Sequence, residues 1–62
     1  MTFPDALERI HSGKSVRRGW WSDDDTYIKK NSLGVIEFCD YEHIEEVLFN
    51  SDDVQATDWM VV

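Results

Sequence analysis

The sequence predicts an α+β fold: an N-terminal helix packed on a small antiparallel β-sheet, with a short helical turn before the C-terminal strand. Three observations lead to it. Phe3, Ala6, Leu7 and Ile10 fall at i, i+3, i+4 and i+7, which is one apolar stripe of a helix. From Lys14 onward the pattern switches to a period of two, the signature of strands. The polar cluster Asn50-Ser51-Asp52-Asp53 then leads into Asp58-Trp59-Met60-Val61-Val62, which reads as the closing strand.

The helix is expected over about residues 3–12. Thr2 is placed to cap it, Pro4 is tolerated in its first turn, and Asp5 suits the positive end of the dipole. Gly13 stands where a left-handed residue ends a helix, and His11 in the last turn suits the dipole as a cation. In the strand that follows, Val16, Arg18 and Trp20 share one face and Ser15, Arg17 and Trp21 the other, so each face carries one arginine and one tryptophan. A helix covers only one face of a sheet, so one Arg/Trp set is expected to meet a partner subunit, a ligand or water.

Ser22-Asp23-Asp24-Asp25 reads as a loop without the alternating ligand spacing of a calcium site. Residues 26–30 and 35–39 read as a hairpin around the turn Asn31-Ser32-Leu33-Gly34. The stretch 41–49 fits either a short helix (Tyr41, Ile44, Val47, Leu48) or a strand. The reading adopted is a turn at 40–43 and a strand at 44–49. Asn50 or Ser51 caps a helical turn over Val54-Gln55-Ala56.

At 62 residues the chain is expected to form one domain, 1–62, of marginal stability on its own. Cys39 is its only cysteine, which rules out an internal disulfide and suits a reducing cytoplasm. Oligomerisation is the remedy favoured. No apolar run approaches the ~20 residues of a membrane span, and no signal-peptide pattern opens the chain. The formal charge of −7 argues against nucleic acid as a partner. The adjacent pairs Arg17-Arg18 and Lys29-Lys30 nevertheless leave room for a local positive site.

Catalytic chemistry finds little support. No glycine-framed elbow surrounds any serine. A thiol site from Cys39, Asp40 and His43 would lack an oxyanion hole, and a metal site there has too few soft ligands. The reading is therefore a non-enzyme with no cofactor and no metal. What the sequence does offer is tryptophan beside arginine: all three tryptophans and three of the six cations lie in residues 13–21 and 56–62. Rings stack on bases and guanidinium groups bind phosphate, but the same pairing also builds protein–protein hot spots.

With these residues in view, the chain resembles a family of small phage proteins that includes the second class of Thoeris anti-defence sponges. The resemblance rests on Phe3, Ala6 and Leu7, then Gly13, Lys14, Val16, Arg18 and Trp21 (a Gly-Lys-x-Val-x-Arg-x-x-Trp strand), and finally Asp53, Ala56, Asp58 and Trp59 after an acidic turn. It implies an oligomeric protein of the host cytoplasm. Such a protein sequesters a cyclic nucleotide-type immune messenger, such as a cyclic ADP-ribose isomer, without degrading it. Carried onto this chain, the ligand-binding residues are Arg18 as phosphate ligand, Trp20 or Trp21 and Trp59 as stacking or pocket-wall residues, and Asp58 beside Trp59. Lys29 and Lys30 are weaker candidates. Trp20 stands where glycine is common, so either Trp20 or Trp21 takes the family's ring position. The alternative function is an acidic, protein-binding inhibitor of a host enzyme, a partial DNA mimic.

Overall fold

In the computed structural model, which describes residues 1–21, 25–41 and 43–62, the polypeptide follows the order α1 (Phe3–His11), β1 (Val16–Arg18), β2 (Tyr27–Lys30), β3 (Ile36–Cys39), β4 (Ile44–Glu46), α2 (Ser51–Gln55), β5 (Trp59–Val61). The strands form one antiparallel sheet in the order β4-β3-β2-β1-β5. The α+β class and the short helix before the last strand are thus as the sequence indicates.

The helix α1 begins as its residues dictate. The Thr2 hydroxyl accepts from the Asp5 amide, Pro4 occupies the first turn, and Gly13 follows the helix with a φ of +94°. Its stripe places Ala6 and Ile10 in the core, where they meet Val16, Ile28 and Trp59 from the sheet. The register aligns Val16 with Ile28, Ile28 with Phe38, and Arg18 with Trp59, so these side chains share the face beneath α1. Arg17, paired with Met60, lies on the opposite face.

The hairpin turn is built by Asn31. Its side-chain oxygen accepts from the amides of Leu33 and Val35, and Gly34 supplies the positive φ of +84°. Between Asp40 and His43 a second turn closes through the Asp40 carboxylate and the His43 amide at 2.7 Å.

Two expectations need correction. The first strand does not run on to Trp21: β1 ends at Arg18, and the Trp21 amide turns back to the Arg18 carbonyl at 3.3 Å. Alternation therefore fails beyond Arg18, and Trp21 packs against Phe38 and Trp59 of the helix-covered core rather than beside Arg17 on the other face. The second concerns 44–49, of which only Ile44–Glu46 is strand. The Val47 amide still donates to the Ile36 carbonyl at 3.3 Å, and the side chains of Val47 and Phe49 pack against the core. The acidic loop expected at Ser22-Asp23-Asp24, and Glu42 in the turn at 40–43, lie outside the described residues.

Candidate ligand-binding site

The aromatic side chains form one connected run. Phe49 meets Phe3, Phe3 meets Trp59, Trp59 meets Trp21, and Trp21 meets Phe38, with ring centroids 4.8–6.3 Å apart. All are tilted or edge-to-face, the geometry that ring quadrupoles favour. Trp59 is the centre of this run and is only 2% exposed. Its indole N–H donates to the Asp53 carbonyl at 3.0 Å, so its one polar atom is satisfied. Trp20 is the opposite case: it is 69% exposed and touches the run at Trp21, with centroids 6.4 Å apart.

Arg18 sits between these two indoles. Its guanidinium carbon lies 5.5 Å from the Trp59 ring and 6.0 Å from the Trp20 ring. Nε donates to Asp58 at 2.6 Å and a terminal nitrogen to Asp53 at 2.7 Å. Two carboxylates around one guanidinium leave the trio with a net negative charge. The pKa of Arg18 moves upward, because its bonds to Asp58 and Asp53 outweigh the opposing effect of desolvation. The Asp58 carboxyl is held below its usual range, first by the hydrogen bond from Arg18 and also by the backbone N–H of Trp20.

Arg17 does something different. It is 7% exposed, and its guanidinium donates to the carbonyls of Trp21 and Arg18. The Arg18–Trp21 turn is thereby wrapped around a buried cation.

Trp21 lines two clefts. One, of about 440 Å³, is lined by Arg17, Gly19, Trp21, Met60, Val61 and Val62. The other, of about 370 Å³, has aromatic and apolar walls from Trp21, Ile28, Phe38, Val47 and Leu48, and carboxylates from Glu45, Glu46 and Asp53. Both fall within the ~300–1,000 Å³ typical of small-molecule sites. A cation lines one cleft and acids line the other, and Trp21 contributes to both.

The family model of the Thoeris anti-defense 2-like domain matches residues 1–62. This chain belongs to the Thoeris anti-defense 2-like family. No curated protein matches it. The coarse role of this anti-defence protein is therefore phage anti-defence.

Of the residues singled out from the sequence of this anti-defence protein, Arg18, Asp58, Trp20 and Trp59 form one cluster, and Trp21 joins it through both tryptophans. Lys29 lies opposite Glu37 on the neighbouring strand, and Lys30 donates to the His11 carbonyl at the end of α1, so neither belongs to that cluster. Two residues were not assigned roles from the sequence. Asp53 needed the knowledge that α2 folds back onto β1. Arg17 stood in the sequence as half of an arginine pair and as the partner of Trp21 on one strand face, with nothing to show that it binds the turn carbonyls. Cys39 is buried, and burial pushes its thiol pKa up, which disfavours the reactive thiolate. Among the described residues no group of three or more His, Cys, Asp or Glu is placed to hold a metal ion. No helix is long and apolar enough to cross a membrane.

Proposed function

We propose that this anti-defence protein binds a cyclic nucleotide-type messenger, of the kind represented by cyclic ADP-ribose isomers, and sequesters it without degrading it. The observation that supports this reading is the placement of Trp21 in the walls of two clefts, with Arg17 lining one of them and the exposed Trp20 alongside. A flat base stacks on indole, and a guanidinium takes phosphate. Carboxylates such as Glu45 and Glu46 accept ribose hydroxyls, as acidic residues do in dinucleotide sites. In this reading Trp20 and Trp21 meet the rings, and Arg17 fixes the turn that carries them through its bonds to the Trp21 and Arg18 carbonyls. Arg18, Asp58 and Trp59 hold those groups in place.

The same reading includes a homo-oligomer, a dimer or tetramer, working in the host cytoplasm. Met60 and Val61 of the edge strand β5, and Val62 after it, are exposed and line the Arg17 cleft, so a second copy laid along that edge would deepen the cleft.

Thermal melting against a panel of cyclic nucleotides and ADP-ribose isomers, with the ligand recovered afterwards, tests the proposal. One compound is expected to raise Tm strongly and to return unchanged, since binding to the native state alone stabilises by mass action. Recovery of a hydrolysed compound would make the protein an enzyme. No shift across the panel would transfer the case to the acidic inhibitor of a host protein.

A further inference from the structure

An arginine beside two tryptophans in a nucleotide-binding protein invites the role of phosphate contact, yet the surroundings of Arg18 oppose it. Its ionic bonds to Asp53 and Asp58 tie it to two carboxylates of its own chain, at 2.7 and 2.6 Å. Its side chain is nearly covered, at 11% exposure. An incoming anion would approach two carboxylates as well as the one guanidinium. The three groups come from three different parts of the fold: Arg18 ends β1, Asp53 lies in the first turn of α2, and Asp58 precedes β5.

The turn that carries Trp20 is fastened to the same place. The Gly19 amide donates to the Asp58 carbonyl at 2.9 Å, and the Asp58 carboxylate lies against the same backbone, its Oδ2 3.8 Å from where a Cβ at residue 19 would stand. A side chain at residue 19 is opposed by the same contact, because a Cβ there would stand 3.1 Å from the Asp58 carbonyl oxygen. Asp58 thus holds Arg18 with one side-chain oxygen and the Gly19 amide with its backbone carbonyl, and its second carboxylate oxygen packs beside Gly19. An indole that is 69% exposed would ordinarily sample several rotamers. Here the guanidinium lies 6.0 Å from its ring and restricts it.

We propose that Arg18 is a positioning residue, clamped by Asp53 and Asp58, that presents the outward face of Trp20 as a fixed stacking surface for a flat ring of the ligand. This rests on the nucleotide-binding reading above and assigns the ring, not the phosphate, to this part of the site.

The two roles for Arg18 predict opposite signs for one isosteric change, Asp58→Asn. If Arg18 contacted phosphate, removing a competing carboxylate would free it and tighten binding of the anionic ligand. If Arg18 is the clamp, the loss of Asp58 slackens the Trp20 turn and weakens binding. The expected result, with the cyclic nucleotide selected by melting as probe, is a roughly tenfold rise in Kd for Asp58→Asn. Trp20→Ala should abolish most of that effect, so that Asp58→Asn changes Kd little in the Trp20→Ala background. Tighter binding by Asp58→Asn, or effects of the two substitutions that simply multiply, would overturn the proposal.

A ligand-free measurement separates failure of this clamp from failure of the sponge reading. The indole N–H resonance of Trp20, assigned by its disappearance in Trp20→Phe, is expected to move toward the free-tryptophan position in Asp58→Asn. The Trp59 resonance should remain dispersed. An unmoved Trp20 resonance overturns the clamp whether or not any nucleotide binds.

Discussion

The three tryptophans have three different environments, and substitution should separate them. Trp59 is fully packed, with its N–H bonded to the Asp53 carbonyl. Replacing it with alanine removes the centre of the aromatic run and is expected to cost about 3–5 kcal/mol, most of the stability available to a small domain. Urea denaturation should find Trp59→Ala largely unfolded in buffer. Trp20→Ala removes an exposed ring and should stay within about 0.5 kcal/mol of the parent. If Trp20→Ala were as damaging as Trp59→Ala, the indole at position 20 would be part of the core rather than a presented surface. The sequence placed both residues among the ligand contacts because Trp59 belongs to a matched motif and Trp20 adjoins one. What divides them is the turn at Gly19, which ends alternation one residue before Trp20. That turn is fixed by the Asp58 carbonyl, 39 positions further along the chain, and no local pattern reports such a partner.

At the scale of elements, α2 depends on its ends more than on its faces. It has five residues and none of them is buried. Asn50 and Asp53 form a reciprocal capping box: the Asn50 side chain accepts from the Asp53 amide at 2.9 Å, and the Asp53 side chain accepts from the Asn50 amide at 3.2 Å. Asp53 also holds Arg18 with its other oxygen, and its carbonyl receives Trp59. Asn50→Ala should cost about 1 kcal/mol. Amide exchange in residues 51–55 should accelerate well before the core strands respond. Uniform acceleration across β1 and β2 would instead mean that α2 opens only with the whole fold. The cap was legible in the sequence because Asn-Ser-Asp-Asp before a short apolar segment is a local signal. So were α1, from its stripe, and the hairpin at Asn31–Gly34. Arg18 to Asp53 and Asp58 was not, since those pairs span 35 and 40 residues. The strand β4 fell short of its expected length because the chain turns in after Val47, whose amide makes the last bond to β3, to bring Phe49 onto the core.

On the scale of the whole molecule, the clamp links β1, α2 and β5, and this link gives stability a dependence on pH with a definite sign. The Asp58 carboxyl has a lower pKa folded than unfolded, chiefly because Arg18 donates to it, so protons bind the unfolded chain more readily. Its contribution is therefore complete above the ordinary aspartate value of about 4 and is lost as pH falls through the lower, folded pKa. The charged groups facing Asp58 are Arg18 and, across that guanidinium, Asp53. Arg18 remains a cation throughout this range, so the change comes from the carboxylate side alone. Thermal melts from pH 7 to about pH 2.5 should show the parent losing Tm on the acid limb. Asp58→Asn should begin with a lower Tm at neutral pH and converge on the parent curve toward the acid end, as folded Asp58 takes up its proton. Added salt should narrow the neutral-pH gap only partly, because the guanidinium is nearly covered while Asp58 is accessible to ions. Two curves that stay parallel from neutral to acid pH would mean that the ion pair contributes nothing beyond packing, and that the three strand and helix ends are held together by the aromatic run alone.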